Sequence, residues 1–181
     1  IRLLFGEDAH ILRETNFQLL LLATTLPVLG TLLVSPMLDS LVDPFGTTST
    51  DIGLLISFMT APGIVMIPIA GMVADRIGRK PVLVAALLIF GLPGAAIAFT
   101  TDFQVVLGLR FLQGVGFAGI GPVLITSIRD QYDGQREATA QGLRLSWGGL
   151  SGAVFPLLSG FLVVVAWQYP FLLYLVAIPI A

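Results

Sequence analysis

The chain has 181 residues, of which 56% are apolar and only 11% are charged, and it carries a net charge of -2 and no cysteine. Soluble domains have about 25% charged residues, more than twice the fraction found here. A water-soluble fold of this size also could not bury so many apolar side chains. The composition therefore predicts an all-α membrane protein in a lipid bilayer. It excludes disulfides and thiolate metal sites and gives no reason to expect a nucleic-acid partner.

The first 16 residues are expected to form a cytoplasmic N-terminal tail. The chain begins with Ile1 and shows no signal-peptide pattern before the first long apolar segment, so we expect a truncated tail and no cleaved leader. His10 is the only histidine, and in such a tail it is expected to be solvated.

Apolar segments separated by short turns follow the tail, and each is predicted to form a membrane helix. Pro27 and Pro36 are expected to kink the first, and Pro81 opens the third. The sixth has only thirteen residues, whereas about 20 are needed to cross the hydrocarbon. It is either a short interfacial helix or, as we expect, a helix within which the supplied chain ends. The predicted spans are residues 17–41, 52–73, 81–99, 103–128, 138–165 and 169–181.

The basic residues outside the spans all fall on one side of the predicted membrane, and the turns on the other side hold none. Basic residues occur before span one, between spans two and three, and between spans four and five. They are Arg2, Arg13, Arg76, Arg79, Lys80, Arg129 and Arg136. The alternate turns hold only acidic charges: Asp39, Asp43, Asp51 and Asp102. Lys and Arg favour the cytoplasmic side, so the pattern predicts a multi-pass cell-membrane protein with a cytoplasmic N-terminus.

Arg110 lies inside the predicted fourth span, roughly 12 Å deep. A cation there costs at least about 2.5 kcal/mol, so it must face a wet cavity or a partner. Gln113 is predicted to share its face, and Gly114 follows one turn later within a stripe of small residues. Arg110 is either a cavity and coupling residue or only a tie between two helices through backbone carbonyls.

The fifth span contains a second cation and a run of small residues. Arg144 could line the cavity, or its side chain could extend to the interface. The small or helix-bending residues recur at every fourth position and predict a face for close helix packing. They are Gly148, Gly152, Pro156 and Gly160.

Asp39 is the acidic residue closest to a possible cavity. It is either a solvated residue at the outer end of span one or a carboxylate that carries a proton or binds a cation at the cavity mouth. The sequence has no metal-binding histidine pair, Gly-rich phosphate loop or nucleophile elbow. We therefore expect neither an enzyme nor a bound cofactor or metal.

The turn between spans two and three resembles the signature of the major facilitator superfamily, G-x-x-x-[D/E]-[R/K]-x-G-[R/K]-[R/K]. In this setting Gly71 would allow close approach of another helix, and Asp75 could hydrogen-bond a helix end or an arginine. The basic residues would anchor at lipid phosphates. The residues that fill the signature are Gly71, Asp75, Arg76, Gly78, Arg79 and Lys80.

Two further motifs resemble those of the same family. The fourth-helix motif R-x-x-x-G is matched by Arg110, Gln113, Gly114 and Gly116. The fifth-helix motif of the drug/proton antiporters, G-x8-G-x3-G-P-x2-G-G, is matched at Gly142, Pro156 and Gly160. Ser151 and Ser159 stand in place of glycines there, and Phe155 stands where another glycine is expected.

The resemblance implies a twelve-helix fold of two six-helix bundles, of which residues 17–181 would be the first and the C-terminal bundle would be absent. It implies alternating-access transport of a small solute, with proton-coupled export of drugs or metabolites as the leading hypothesis. In the family the arginine matched by Arg110 is linked to proton coupling, and the signature turn would latch one conformation. The alternatives are an uptake carrier for a sugar or organic acid, and a membrane sensor or scaffold that transports nothing.

Overall fold

The computed structural model describes residues 11–181, and in this range the chain forms helices and turns with no strand. The all-α prediction is therefore confirmed. Arg2 and His10 lie outside the described residues. Five helical spans are long and apolar enough to cross a membrane, and a shorter apolar helix follows. Spans one to six are Thr15–Leu41, Asp51–Ile77, Arg79–Phe99, Phe103–Gln131, Gly134–Val165 and Tyr169–Ile180.

Proline and short 3-10 turns interrupt spans one and two, and a 3-10 segment at Leu173–Val176 divides span six. Span one is an α-helix over Thr15–Leu32 and continues through a 3-10 turn to a final helical turn at Leu38–Leu41. Span two breaks between helices Leu54–Thr60 and Gly63–Ile77, where Pro62 has no N–H to donate. The carbonyl oxygen of Met59, in the last helical turn before the break, lies against Gly114 of span four.

The polar stretch between the predicted spans four and five, residues 129–137, is mostly helical. Span four continues to Gln131 and span five begins at Gly134, so only two residues separate them. Hydropathy marks where the chain leaves the hydrocarbon, whereas a helix can extend further because its charged side chains are solvated there. At its other end, span four is capped by Asp102, whose carboxylate accepts hydrogen bonds from the N–H groups of Gln104 and Val105.

Span four is the centre of the bundle and packs against spans one, two and three. Its glycines allow this contact. A Cβ at Gly114 would lie 2.1 Å from the carbonyl oxygen of Met59, and a Cβ at Gly116 would lie 2.5 Å from the backbone nitrogen of Phe90. Only glycine fits at either position without moving the backbone of a neighbouring helix.

Only part of the predicted packing face of span five meets span one within the described residues. Gly148 and Gly152 do approach span one, but nothing lies within 4 Å of a Cβ built at Gly142 or Gly160. Ser159 is fully buried instead and donates to the carbonyl oxygen of Leu33 at 2.6 Å. A four-residue step drifts by about 40°, so Gly160 is turned about 120° from Gly148, whereas the eleven residues to Ser159 nearly complete three turns.

Spans two and five leave most of their apolar surface uncovered. Only 28% and 11% of their most apolar windows are buried, against at least 50% for spans one, three and four. Ile64 in span two and Val164 in span five are each 85% exposed. Apolar faces of this size belong in lipid or against another helical bundle.

Candidate functional site

Arg110 is buried where spans one, two, four and six meet, and its side chain is one of the largest fully buried groups, with 1% exposure. Its Nη1 donates to Gln113 Oε1 at 2.9 Å and to the Tyr174 hydroxyl at 3.3 Å, and it lies 3.6 Å from the sulfur of Met59. The structure thus brings Arg110 and Gln113 together, as their spacing predicts. It also adds Met59 and Tyr174, which the sequence did not indicate.

The charge of Arg110 meets aromatic rings and no carboxylate. The guanidinium carbon lies 5.4 Å from the ring centre of Phe171 and 5.6 Å from that of Tyr174. Within residues 11–181, Arg110 forms no ion pair, and its Nε and Nη2 have no hydrogen-bond partner. A buried guanidinium with unused donors can bind a carboxylate or another anionic group without first breaking an ion pair.

Glycines on spans three and four make room for this arrangement. A Cβ at Gly94 would lie 2.4 Å from Gln113 Nε2 and 2.8 Å from the ring of Tyr174. Gly114 lets the break in span two approach from the other side. The second family motif therefore marks a place where helices contact closely as well as a buried charge.

The signature turn forms a network of three charges with the end of span four. Gly78 has φ +98°, a backbone conformation that a side chain would strain, and it separates spans two and three. The next residue, Arg79, pairs with Asp75 one turn before the glycine and with Asp130 of span four, Nε to Oδ2, at 3.1 Å. Asp130 is part of this site, but its place in a polar stretch gave no signal of that.

The other predicted members of the signature have different surroundings. Nothing lies within 4 Å of a Cβ at Gly71, so the predicted approach of another helix there does not occur within the described part of the chain. Arg76 and Lys80 are exposed, as is suitable for contact with lipid phosphates. Among Arg76, Arg79 and Lys80, it is therefore Arg79 whose ion pairs hold the turn together.

Neither of the remaining predicted coupling residues joins Arg110. Arg144 is half-buried, and its Nε donates to Gln141 Oε1 at 3.0 Å, while Gln141 donates to the carbonyl of Ile125. Asp39 is exposed near the end of span one, and no hydrogen bond or ion pair connects it to Arg110. A cleft of about 190 Å³ between spans one and five is lined by Trp147 and other residues outside the predicted coupling set.

A second polar cluster joins the start of span one to the turn between spans four and five. The Tyr132 hydroxyl donates to Glu14 Oε2 at 2.5 Å, and Arg136 Nη2 donates to Glu14 Oε1 at 3.2 Å. Burial, and then the bond to Glu14, raises the pKa of Tyr132 well above its ordinary value. The hydroxyl therefore keeps its proton at neutral pH and remains a donor. Sequence reasoning missed this cluster because Glu14 is more than 100 residues from Tyr132 and Arg136.

The comparison with known families decides the class of the protein. A family model described as Major Facilitator Superfamily matches residues 20–181. The chain belongs to this superfamily. It is therefore a multi-pass membrane protein, with the bilayer as its solvent, and its helices form part of a bundle of this fold.

Several relatives carry names that describe export or drug resistance. The chain is 35% identical over 150 residues to the "Bacillibactin exporter" of Bacillus subtilis (strain 168), covering 79% of this chain and 37% of the relative. It is 29% identical over 144 residues to the "Chloramphenicol resistance protein CraA" of Acinetobacter baumannii, covering 79% and 35%. It is 32% identical over 135 residues to the "Multi-drug resistance efflux pump PmrA" of Streptococcus pneumoniae, covering 72% and 33%. The chain thus spans just over a third of the length of the first two.

Proposed function

We propose that residues 17–181 are the N-terminal six-helix bundle of a secondary transporter that exports a drug or metabolite by alternating access. The observation that carries this proposal is Arg110, a fully buried cation inside a membrane-length helix of a transporter family. Export is favoured over uptake because similar proteins are named as an exporter and as an efflux pump.

A second bundle is proposed to cover spans two and five. These are the spans with the least buried apolar surface, and small residues without close neighbours lie on them: Gly71, Gly142 and Gly160. Small residues in membrane helices favour close contact with another helix, so these positions fit a partner bundle better than they fit lipid alone. The central cavity would then lie between the two bundles.

Arg110 is proposed to couple solute movement to protons. Its guanidinium has unused donors and no carboxylate partner, so it could attract an anionic group of the solute or lower the pKa of a carboxylate that approaches it. Asp39 is exposed and is not bonded to Arg110, so the carboxylate that carries the proton is placed by this proposal in the second bundle.

The network of Asp75, Arg79 and Asp130 is proposed as the cytoplasmic latch. It connects the turn after span two to the last turn of span four, on the side that the basic residues assign to the cytoplasm. A latch of this kind stabilises one of the two access states, so its loss changes the rate of exchange between states more than it changes solute affinity.

Replacing Asp130 with asparagine tests the latch. The pair is partly exposed, with side-chain exposures of 28% for Arg79 and 53% for Asp130, so each contact is worth about 1 kcal/mol or less. We expect turnover of the full-length protein to change by up to about fivefold, with the dissociation constant for solute nearly unchanged. Asp133→Asn, at an exposed carboxylate two residues beyond the end of span four, is the matched control. Loss of binding with normal turnover would contradict the latch.

Flux in oriented membrane vesicles tests the proposed function. Inverted vesicles containing the full-length protein should accumulate chloramphenicol or bacillibactin when the interior is acidic, and an uncoupler should abolish the accumulation. Accumulation only in right-side-out vesicles would indicate an uptake carrier. Absence of flux for these probes and for a wider panel of drugs, sugars and organic acids, in both orientations, would favour the sensor or scaffold.

A further inference from the structure

Span six provides both aromatic rings that face the charge of Arg110. Phe171 and Tyr174 are each 0% exposed, and the guanidinium carbon lies 5.4 and 5.6 Å from their ring centres. An aromatic face attracts a cation but cannot take a proton from it or neutralise it. The two rings therefore stabilise the charge inside the bundle while leaving Arg110 able to bind an anionic group.

The Tyr174 hydroxyl connects Arg110 to span one through two hydrogen bonds whose donor and acceptor are fixed. It lies 3.2 Å from the carbonyl oxygen of Leu29 and 3.3 Å from Arg110 Nη1. A carbonyl cannot donate, so the single hydroxyl proton goes to Leu29, and a lone pair accepts from Arg110. A movement of span one at Leu29 would therefore be transmitted to the guanidinium through this oxygen.

Close packing on span three fixes the ring of Tyr174 in this place. Phe90 meets it edge to face at 5.4 Å between ring centres. A Cβ at Gly94 would lie 2.8 Å from the ring, and a Cβ at Gly91 would lie 3.0 Å from the carbonyl oxygen of Tyr174. Because these two positions are glycines, span six packs closely on span three, and the ring of Tyr174 has little room to rotate.

We propose that Tyr174 and Phe171 are positioning residues for Arg110. They stabilise the positive charge of the guanidinium and hold it in place without a carboxylate, and Tyr174 ties its position to the backbone of span one. This inference depends on the proposed role of Arg110 in coupling. It adds that span six, which contributes no charge of its own, determines where the coupling charge lies.

Substitutions that separate the ring from the hydroxyl test the inference in the full-length protein. Tyr174→Phe removes the hydroxyl and keeps the ring, whereas Phe171→Leu removes a ring and Phe171→Tyr keeps one. Tyr169→Phe is the matched control, because Tyr169 begins the same span and is 47% exposed. Initial rates of coupled flux would be measured against solute concentration and pH, at equal amounts of folded protein in the membrane.

A displaced Arg110 lowers the pKa of the coupling carboxylate less, so that the apparent pKa of transport should rise. We expect Tyr174→Phe to raise it by about half a unit to one unit, corresponding to about threefold to tenfold tighter proton binding. Phe171→Leu should reduce the maximal rate about tenfold, and Phe171→Tyr should restore most of it, because the ring face is what attracts the cation. Tyr169→Phe should leave both the profile and the rate unchanged.

The outcomes separate this inference from the proposed function. If the unsubstituted protein shows no proton-coupled flux, the proposed function fails, and the inference fails with it. If it shows such flux and Arg110→Ala abolishes it, while Tyr174→Phe and Phe171→Leu behave like Tyr169→Phe, the proposed function stands and the positioning role is wrong. Should Phe171→Leu not fold, the pH profile of Tyr174→Phe decides the matter by itself.

Discussion

Replacing Arg110 with alanine is expected to reduce coupled transport by the full-length protein about 100-fold or more. In the proposed mechanism Arg110 pairs with an anionic group inside the membrane, and leaving such a buried charge without its partner costs about 3 kcal/mol or more, which corresponds to at least about two powers of ten. Arg110 lies fully buried among Met59, Gln113 and Tyr174, and no other cation of residues 11–181 takes part in this cluster. Flux driven by an imposed pH gradient in vesicles is the measurement.

The loss should not come from failed insertion. Removing a charge from the middle of a membrane helix relieves a cost of at least about 2.5 kcal/mol, so Arg110→Ala should reach the membrane at normal levels. Arg110→Lys should recover only part of the activity, because an ammonium cannot replace the planar fork of donors. Arg129→Ala, at a 70% exposed side chain near the end of the same helix, is the control. Normal coupled flux by Arg110→Ala would remove Arg110 from the mechanism.

Replacing Gly116 with alanine is expected to destabilise the folded protein strongly. The added Cβ would lie 2.5 Å from the backbone nitrogen of Phe90 and 2.6 Å from the carbonyl oxygen of Ala86. Backbone atoms in a packed helix cannot give way as a flexible side chain can, so spans three and four must separate. We expect a loss of about 2–4 kcal/mol and a clear fall in melting temperature. Thermal unfolding of the purified full-length protein in detergent measures it.

Gly121→Ala is the matched control on the same helix. Nothing lies within 4 Å of a Cβ at Gly121, and alanine favours a helix over glycine by about 1 kcal/mol, so this variant should be as stable as the original or more so. Gly114 is less suitable for the test because it borders Arg110, and its replacement would disturb function and packing together. Equal melting temperatures for Gly116→Ala and the unsubstituted protein would show that spans three and four do not pack as described.

The spans could be predicted from the sequence because lipid imposes a simple rule. A crossing helix needs about 20 apolar residues, and this requirement leaves a long signal that does not depend on which helices are neighbours. The predicted ends of the spans were less accurate, because the rule describes the hydrocarbon and not the helical hydrogen bonds. Span five begins at Gly134, four residues before its predicted start, because helical hydrogen bonds continue beyond the hydrocarbon.

Only the contacts of the candidate site between residues close together in the sequence could be predicted. Gln113 is one turn from Arg110, and helix geometry alone places the two side chains together, as the 2.9 Å bond between them shows. Tyr174 and Asp130 are 64 and 51 residues from the arginines that they contact. No pattern in one sequence tells which helices meet at such separations. The glycine repeat of span five shows the same limit: Gly148 and Gly152 approach span one, whereas small drifts per turn carry Gly160 to another side of the helix.

The orientation of the bundle is the claim on which the proposed function depends most directly, and it can be measured by site-directed labelling. The 181 residues contain no cysteine, so a single one can be placed at Lys80, in the signature turn, or at Thr101, in the acidic turn before span four. Both positions are exposed. The experiment uses the full-length protein with any cysteines beyond these residues replaced, and a maleimide that cannot cross the membrane.

In intact cells, Thr101→Cys should react with the maleimide and Lys80→Cys should not, and inverted vesicles should reverse the result. That outcome would place the loop cations and the latch in the cytoplasm and Arg110 within the membrane between the two turns. Labelling of Lys80→Cys in intact cells, with Thr101→Cys protected, would contradict the account.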